Sequence, residues 1–250
     1  MVLLLVFGIN KINMGNYTDL QFWSNYWDCV DITPTTDVFY KNLIDDIPQG
    51  GRVAEIGGFP GKLSTYFITD KNCEVTIIDF FIKEEIIRKV EAVNNLQDNS
   101  IKFIKGDFVN DAFNETFDVV CSFGFLEHFT NTKEIIQKHL SLLRPNGHLL
   151  ITMPNFRGIN GLVQWFFDRE NLKKHNLKAM NTKKLKNILS EQKVKSYEIG
   201  YFGGSHVWVE KGTDTKFIKM VIKLLNKLLR FIPLKNNIVF ATHIYIKASK

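Results

Sequence analysis

The chain has 250 residues, of which 45% are hydrophobic and 23% charged, so it is long enough for one large domain and too apolar to be disordered. Its net charge of +6 is uneven: residues 171–250 carry 17 Lys and Arg against 4 Asp and Glu, a net +13, whereas residues 1–170 carry 15 against 22, a net −7. The basic part has no finger or recognition-helix signature, so nucleic-acid binding is not expected. Three separate cysteines, Cys29, Cys73 and Cys121, fit neither a disulfide framework nor a metal knuckle and favour a reducing, cytoplasmic location.

The N-terminal 34 residues are predicted to be an extension and possible lid. They open with nine apolar residues, too few to span a bilayer and without the basic lead of a signal peptide, so Met14 is an alternative start. The aromatic group Trp23, Tyr26 and Trp27 follows. Such side chains stack well on sugars and other rings, but they also form the core of a lid.

From residue 52 the chain alternates short apolar runs with longer amphipathic ones, which predicts βαβ units around a parallel sheet. The predicted elements up to residue 152 are strands at 53–56, 75–78, 101–104, 119–122 and 148–152, and helices at 62–69, 83–94 and 132–142. Right-handed crossovers place the carboxyl ends of parallel strands along one edge, where ligands of such sheets bind.

The pattern changes after Pro154. A mixed stretch at 155–180 leads to a predicted helix at 182–191, a strand at 195–202, a long amphipathic helix at 215–231 and a strand at 238–247.

A glycine-rich turn, Glu55-Ile56-Gly57-Gly58-Phe59-Pro60-Gly61, follows the first strand. Glycines let the backbone turn tightly and approach a ligand closely, and the next helix begins with its positive end at the same place. A dinucleotide fingerprint would need glycines where Phe59 and Lys62 stand, and no Gly-Lys-Ser/Thr completes a P-loop. The spacing therefore argues against NAD.

Acidic residues follow the next two strands. Asp79, 22 residues beyond Gly57, stands where a carboxylate can accept both hydroxyls of a ribose, or can cap the next helix. Gly106-Asp107-Phe108 offers an acid beside an aromatic ring that would cover an adenine; the alternatives are that Asp107 caps a turn and Phe108 belongs to the core.

The order of these motifs over residues 50–155 resembles class I S-adenosylmethionine-dependent methyltransferases, with Phe-Asp-Val-Val, Leu-Glu-His and Leu-Arg-Pro-Asn-Gly-His completing the set. The resemblance implies an α/β, Rossmann-like, open and mostly parallel seven-stranded sheet with helices on both faces and the last strand antiparallel. It would occupy residues 35–250, with the cofactor-binding core at 50–155 and substrate-side and C-terminal elements at 156–250.

The resemblance also implies S-adenosylmethionine as the cofactor. Carried over by position, Glu55, Gly57 and Gly61 would shape its methionine end, Asp79 would hold the ribose, Asp107 and Phe108 the adenine, and Ser122 and Phe123 the inner face. Gly58 and Phe80 are also predicted to bind the cofactor. The family commonly has glycine where this chain has Phe59, so the loop must turn that ring away from the cofactor. Later segments around Pro154 and Lys174 resemble bacterial small-molecule and glycan-modifying members.

Methyl transfer from a sulfonium is a displacement that needs alignment but no covalent nucleophile, and no metal site is expected. A hydroxyl acceptor would gain from a general base, for which His128, just beyond the fourth strand, is the candidate; the alternative is a helix-entry residue bonded to a backbone carbonyl. The predicted acceptor side comprises Trp27, Asn155, Arg157 and His175.

The helix at 215–231 carries Lys216, Lys219, Lys223, Lys227 and Arg230 on one face. We expect its apolar residues to cover the sheet, which limits membrane contact to weak, salt-sensitive, peripheral association. The predicted function is O-methylation of a saccharide or related small metabolite in bacterial surface-glycan biosynthesis. A lipid-like or amine acceptor, or a non-catalytic cofactor-binding partner protein, remains an alternative.

Overall fold

A computed structural model describes residues 20–28, 30–36, 38–210, 215–231 and 236–250. The apolar opening, the alternative start at Met14 and Cys29 lie outside the described residues. Strands are β1 (Arg52–Ile56), β2 (Glu74–Asp79), β3 (Ile101–Lys105), β4 (Phe117–Phe123), β5 (Leu143–Pro154), β6 (Ser196–Phe202) and β7 (His243–Ser249). Helices are α1 (Leu20–Asp28), α2 (Lys41–Ile44), α3 (Lys62–Thr69), α4 (Glu84–Val93), α5 (Thr132–Ser141), α6 (Ile159–Phe167), α7 (Arg169–Lys173), α8 (Thr182–Ser190) and α9 (Lys216–Leu229).

The described strands form one seven-stranded sheet in the order β3-β2-β1-β4-β5-β7-β6. Strands β1 to β5 run parallel, and β7 lies antiparallel between β5 and β6. The predicted fold is thus confirmed, including the antiparallel final strand. The strand order reverses between β1 and β4, so the carboxyl ends of these two strands border the crevice in which such sheets bind ligands.

Alternate residues of the central strands pack into separate cores on the two faces of the sheet. Val120 of β4 lies in the core that includes α5 and α8, whereas its neighbours Val119 and Cys121 lie in the core that includes α2 and α3. Because both faces are covered, the strands consist of nearly continuous apolar runs. Each fully buried Val or Ile contributes roughly 1.5–3 kcal/mol relative to an exposed one.

Strand β5 begins five residues earlier than predicted. The sequence Arg144-Pro145-Asn146-Gly147 lies inside the strand as an irregularity rather than before it as a turn, and the register with β4 shifts between Phe117 and Val119. Asn146, within this irregular segment, has a left-handed backbone conformation with φ of 66°. A Cβ on Gly147 would lie 3.0 Å from two backbone oxygens, so this position favours glycine.

Helix α9 does not cover the sheet, contrary to our expectation. Its inner side, which includes Leu229 and the partly buried Ile222 and Leu225, packs with Val163 of α6 and Val207. Large apolar side chains on another side of α9 are exposed. Among the described helices, none combines the length and the apolar character that a membrane crossing requires.

Candidate functional site

A cleft of about 250 Å³ opens at the carboxyl ends of β1, β2 and β4, with α1 along one side. Strand β1 leads into the glycine turn, β2 ends in Asp79, and β4 continues into Gly124 and Phe125. Helix α1 contributes three rings, those of Trp23, Tyr26 and Trp27. The cleft therefore lies at the point where the topology predicts a ligand.

Left-handed backbone conformations shape the glycine turn. Gly57 has φ of 66° and Gly61, which precedes α3, has φ of 97°. A Cβ on Gly57 would lie 2.3 Å from Cδ2 of Phe125, and one on Gly58 would lie 2.5 Å from Cγ of Glu55. Glycine at these two positions lets the turn pack against both side chains while its backbone borders the cleft.

Phe59 is the residue of the turn whose ring the sequence resemblance led us to expect away from the cofactor. Its ring packs edge-on against Phe81 and Trp27, with centroids 5.3 Å from each, and is almost fully buried. The ring still borders the cleft and joins the glycine turn to α1.

Two carboxyl groups lie beneath this turn. Glu55 is buried and accepts a hydrogen bond from Oγ of Ser64 at 2.5 Å; burial, with a smaller contribution from Asp79, raises its pKa to about 7. Asp79 accepts the backbone N–H of Phe81 at 2.9 Å and that of Phe59 at 3.2 Å. Burial raises the pKa of Asp79 to about 6 even though these hydrogen bonds favour its charged form.

Two histidines approach each other beyond β4. His128 ends a short 3-10 turn, and its ring centroid lies 5.0 Å from that of His175. Nδ1 of His128 lies 3.2 Å from the carbonyl oxygen of Lys174, and Nδ1 of His175 lies 2.7 Å from that of Asn171. Because a carbonyl only accepts, each Nδ1 carries the proton and each Nε2 is left as an acceptor.

Burial determines the charge of this pair. Burial, and secondly the neighbouring His175, lower the pKa of His128 to about 3, and burial also lowers the pKa of His175. The value for His128 differs from the near-neutral pKa of an exposed imidazole, on which its choice as a base depended. Both rings are neutral at pH 7.

Glu127 lies beside the pair and is buried. Its Oε2 has no hydrogen-bond partner among the described residues, and burial raises its pKa to about 8. An unpaired buried carboxylate is costly, so the group holds its proton at neutral pH.

Glu127, His128 and His175 together offer one ligand atom each, within 4.8 Å of one another. Such a group can bind a hydroxyl through hydrogen bonds of about 2.8 Å, and it also consists of ligand types that zinc accepts.

The structure brings most of the predicted cofactor and acceptor residues to this cleft. Its lining includes Glu55, Gly57, Gly58, Asp79, Phe80, Phe123, Trp27 and His128. Gly61 forms the turn behind it, and His175 lies next to His128.

Other predicted residues lie outside the cleft lining. Asp107 caps its own turn by accepting the N–H of Val109 at 2.8 Å, Phe108 is a core residue, and the buried Ser122 hydrogen-bonds Nε2 of His139 at 3.1 Å. Their contact with a cofactor therefore stays a prediction.

Two of the predicted acceptor residues are also outside the lining. The side-chain amide of Asn155 donates to the carbonyls of Ile238 and Ala241, and Arg157 is exposed. Sequence reasoning missed Phe125, which supports Gly57, and gave no weight to the spacing of Trp23, Tyr26 and Trp27, which predicts one face of a helix.

A family model described as a methyltransferase domain matches residues 37–192. An S-adenosylmethionine-dependent methyltransferase from Archaeoglobus fulgidus has a similar structure, with 19% identity, a TM-score of 0.56, and coverage of 84% of this chain and 91% of that one. The plantazolicin methyltransferase BpumL is 18% identical, with a TM-score of 0.51 over 86% of this chain and 81% of that one.

A third structure is that of phosphoethanolamine N-methyltransferase 2 from Haemonchus contortus, solved with phosphomonomethylethanolamine and S-adenosylhomocysteine. It is 15% identical, with a TM-score of 0.62 over 91% of this chain and 56% of that one. No curated protein matches the chain by sequence. The three structures share this fold at less than 20% identity.

Proposed function

The chain belongs to the methyltransferase-domain family, and we propose that it transfers a methyl group from S-adenosylmethionine to a hydroxyl of a saccharide or related small metabolite. The match to this family and the similar structures confirm the family and the cofactor that the sequence predicted. The acceptor is our inference. The observation that carries it is a cleft that joins the glycine turn and Asp79 to the neutral His128, behind which His175 packs.

The cofactor end of the cleft supports this proposal. When bound, S-adenosylmethionine supplies a methyl group on a sulfonium, which a nucleophile displaces in one step. Asp79, already oriented by two backbone N–H groups, offers its carboxylate to the ribose hydroxyls. The backbone of Gly57 and Gly58 borders the cleft without side chains, which leaves room for the methionine part.

His128 would take the acceptor's proton. A neutral Nε2 with a low pKa does not ionise a free hydroxyl, but the hydroxyl becomes a far stronger acid as its oxygen bonds the methyl carbon. Nε2 of His128 would then accept that proton as the oxygen receives the methyl group. The hydrogen bond from Nδ1 to the carbonyl of Lys174 fixes the ring for this transfer and stabilises the cation formed.

Helix α1 supports a small ring-shaped acceptor. Trp23 lies edge-on to His128 with centroids 5.7 Å apart, and Tyr26 and Trp27 continue the aromatic wall toward Phe59. Aromatic faces stack on sugar rings and exclude water from the reacting atoms. We infer that residues 1–34 include a lid to which α1 belongs. We also infer that the free thiols of Cys73 and Cys121 suit a cytoplasmic enzyme.

An amine acceptor is the second candidate. The structural likeness to a phosphoethanolamine N-methyltransferase, and the absence of any need for a general base once an amine is neutral, favour it. The neutral His128 and His175 provide no positive charge for a phosphate group, and Lys62 is the only Lys or Arg among the described residues that line the cleft, so we prefer a hydroxyl acceptor without a phosphate.

The test is a methyl-transfer assay with ¹³C-methyl-labelled S-adenosylmethionine, free saccharides, the same saccharides with acetylated hydroxyls, and phosphoethanolamine. We expect S-adenosylhomocysteine and an O-methyl signal only with free hydroxyls. An N-methyl signal from phosphoethanolamine alone would replace the proposal by the amine alternative. Cofactor binding without turnover on either acceptor class would favour a non-catalytic protein.

A further inference from the structure

Helix α9 has an apolar side that the fold leaves uncovered. Residues 217, 220, 224, 228 and 231 recur at spacings of 3, 4, 4 and 3, which places them on one side of the helix and its last turn. We call them the apolar face: Phe217, Met220, Leu224, Leu228 and Phe231, each between 55% and 79% exposed. The partly buried Ile222 and Leu225 and the buried Leu229 point elsewhere, into the contact with α6.

A basic face lies beside the apolar face. Each of its members comes one residue before a member of the apolar face, so the two faces are about 100° apart around the helix axis. The basic face consists of Lys216, Lys219, Lys223, Lys227 and Arg230. Helix α9 contains no acidic residue.

Neighbouring segments expose further large apolar side chains. On α6, which packs against α9, Leu162 is 61%, Trp165 46% and Phe166 67% exposed. Ile238 and Val239, also about half exposed, lie at the start of α6, where the N–H of Ile159 donates to the carbonyl of Val239 at 2.7 Å.

The positive charge beside the apolar face indicates what kind of partner binds this surface. A soluble protein rarely exposes a large contiguous apolar patch without a partner. A second copy of the chain would bring another basic face and another C-terminal region of net charge +13 against the first, which is unfavourable. Anionic lipid headgroups complement the lysines, while the acyl chains beneath them accept the aromatic and leucine side chains.

We propose that α9, assisted by α6, is a docking helix that lies in the surface of an anionic membrane with its apolar face inserted. The docking surface begins at the cleft edge of the sheet, because α6 follows the carboxyl end of β5 and residues 238–242 lead into His243, which pairs with Pro154. If the proposed methyl transfer holds, docking presents the cleft to amphiphilic or lipid-linked hydroxyl acceptors.

The test is flotation of the purified 250-residue chain with vesicles of phosphatidylcholine alone or with 30% phosphatidylglycerol, at low salt and at 0.5 M NaCl. No methyl acceptor is present, so the result does not depend on the proposed function. We expect binding to the anionic vesicles that weakens with salt but persists in part at 0.5 M. Complete loss at 0.5 M would mean that the apolar face does not insert, and would overturn the proposal.

Two double variants test the contributions of the basic face and the apolar face separately. Lys223→Gln with Lys227→Gln should weaken anionic-vesicle binding about 10- to 30-fold, from about 1 kcal/mol per cation near the surface. The matched control, Lys183→Gln with Lys186→Gln on the exposed side of α8, should bind like the wild type. Leu224→Ser with Leu228→Ser should remove the salt-resistant part and leave the melting temperature unchanged, because both side chains are exposed.

Wild-type binding by the serine variant would overturn the proposal. Light scattering on a sizing column provides a second test. If the wild type is a dimer and the serine variant is a monomer, the apolar face is a contact between two copies, and the proposal is overturned.

Discussion

The imidazole rings of His128 and His175 lie 5.0 Å apart, and each directs Nδ1 to a backbone carbonyl. Two cationic rings at this distance would repel each other in a buried site, and the carbonyls fix the proton on Nδ1 of each neutral ring. Each ring therefore leaves its Nε2 as a hydrogen-bond acceptor. Because burial holds the pKa of His128 near 3, the ring stays neutral throughout the pH range of ordinary assays.

His128→Asn is expected to lower kcat by about 10²-fold, the lower end of the usual contribution of a general base because the low pKa of the ring makes it a weak base, with cofactor affinity nearly unchanged. Asparagine keeps a side-chain donor for the carbonyl of Lys174, so the fold should survive. Calorimetry gives the cofactor affinity and a coupled assay gives kcat. His206→Asn, a change at an exposed histidine, is the control. Wild-type turnover in the His128 variant would remove this residue from the mechanism.

Asp79 makes cofactor binding depend on pH. Its carboxyl group has a pKa of about 6 in the free protein, and two ribose hydroxyls favour the charged form, so binding lowers that pKa and releases protons. Affinity should be greatest above pH 7 and fall as the pH drops below 6. Asp79→Asn should weaken binding by about 1–3 kcal/mol and reduce this dependence.

In the Asp79→Asn variant, any pH dependence of cofactor affinity that remains is due to other titrating groups, chiefly Glu55 with its pKa of about 7. Calorimetry in buffers of different ionisation enthalpy measures the protons released. Asp98→Asn, at an exposed loop residue, is the control. An Asp79 variant that binds S-adenosylmethionine like the wild type would contradict the assigned contact.

Two glycines with similar left-handed φ angles differ in what surrounds them. Gly50 and Gly57 have φ of 74° and 66°, but a Cβ on Gly50 meets nothing within 4 Å, whereas one on Gly57 meets the ring of Phe125. Gly50→Ala should therefore cost only the left-handed conformation, about 1–2 kcal/mol, and leave cofactor binding intact. Gly57→Ala should cost more and also weaken cofactor binding, because Phe125 must move into the cleft region.

Thermal unfolding and calorimetry on both alanine variants separate strain from contact. Equal loss of stability, with cofactor affinity retained in both, would show that the packing of Gly57 against Phe125 is unimportant.

Local sequence was sufficient for the elements that place the cofactor. The apolar runs of β1, β2 and β4, the glycine turn and the strand-end position of Asp79 each depend on a few neighbouring residues, and the parallel sheet brings them together. Ser122 shows where this reasoning fails. It lies on the expected strand, but alternation along β4 and the position of His139 on α5 turn its hydroxyl into the core.

Helix α9 shows a second limit. Its periodicity predicts an amphipathic helix but does not specify which neighbour covers which side, and α6 covers only the side that contains Leu225 and Leu229. The approach of His175 to His128 was likewise not predictable, because it brings together residues 47 positions apart through the path of α6 and α7.

Glu127→Gln is expected to stabilise the protein at neutral pH. With a pKa of about 8 in the folded state and about 4.3 when unfolded, Glu127 is protonated in the fold while the unfolded chain ionises. Its contribution to stability is thus fully present below pH 4.3 and is lost as the pH rises toward 8, at about 1.4 kcal/mol per pH unit. Glutamine resembles the protonated acid and does not titrate, so the variant should melt several degrees above the wild type at pH 7–8, with little difference near pH 4.5.

Glu91 provides the contrast. It is equally buried, but Arg88 lies 2.7 Å from its Oε2 and the N–H of Ile101 donates to its Oε1 at 2.7 Å. Glu91→Gln removes the charge that these groups bind and should lower the melting temperature at pH 7. Melting curves of both variants at pH 4.5, 7 and 8 test the pair. A Glu127 variant that melts below the wild type at pH 8 would mean that the buried carboxyl is ionised in the fold, and His128 would then have a charged neighbour that raises its basicity.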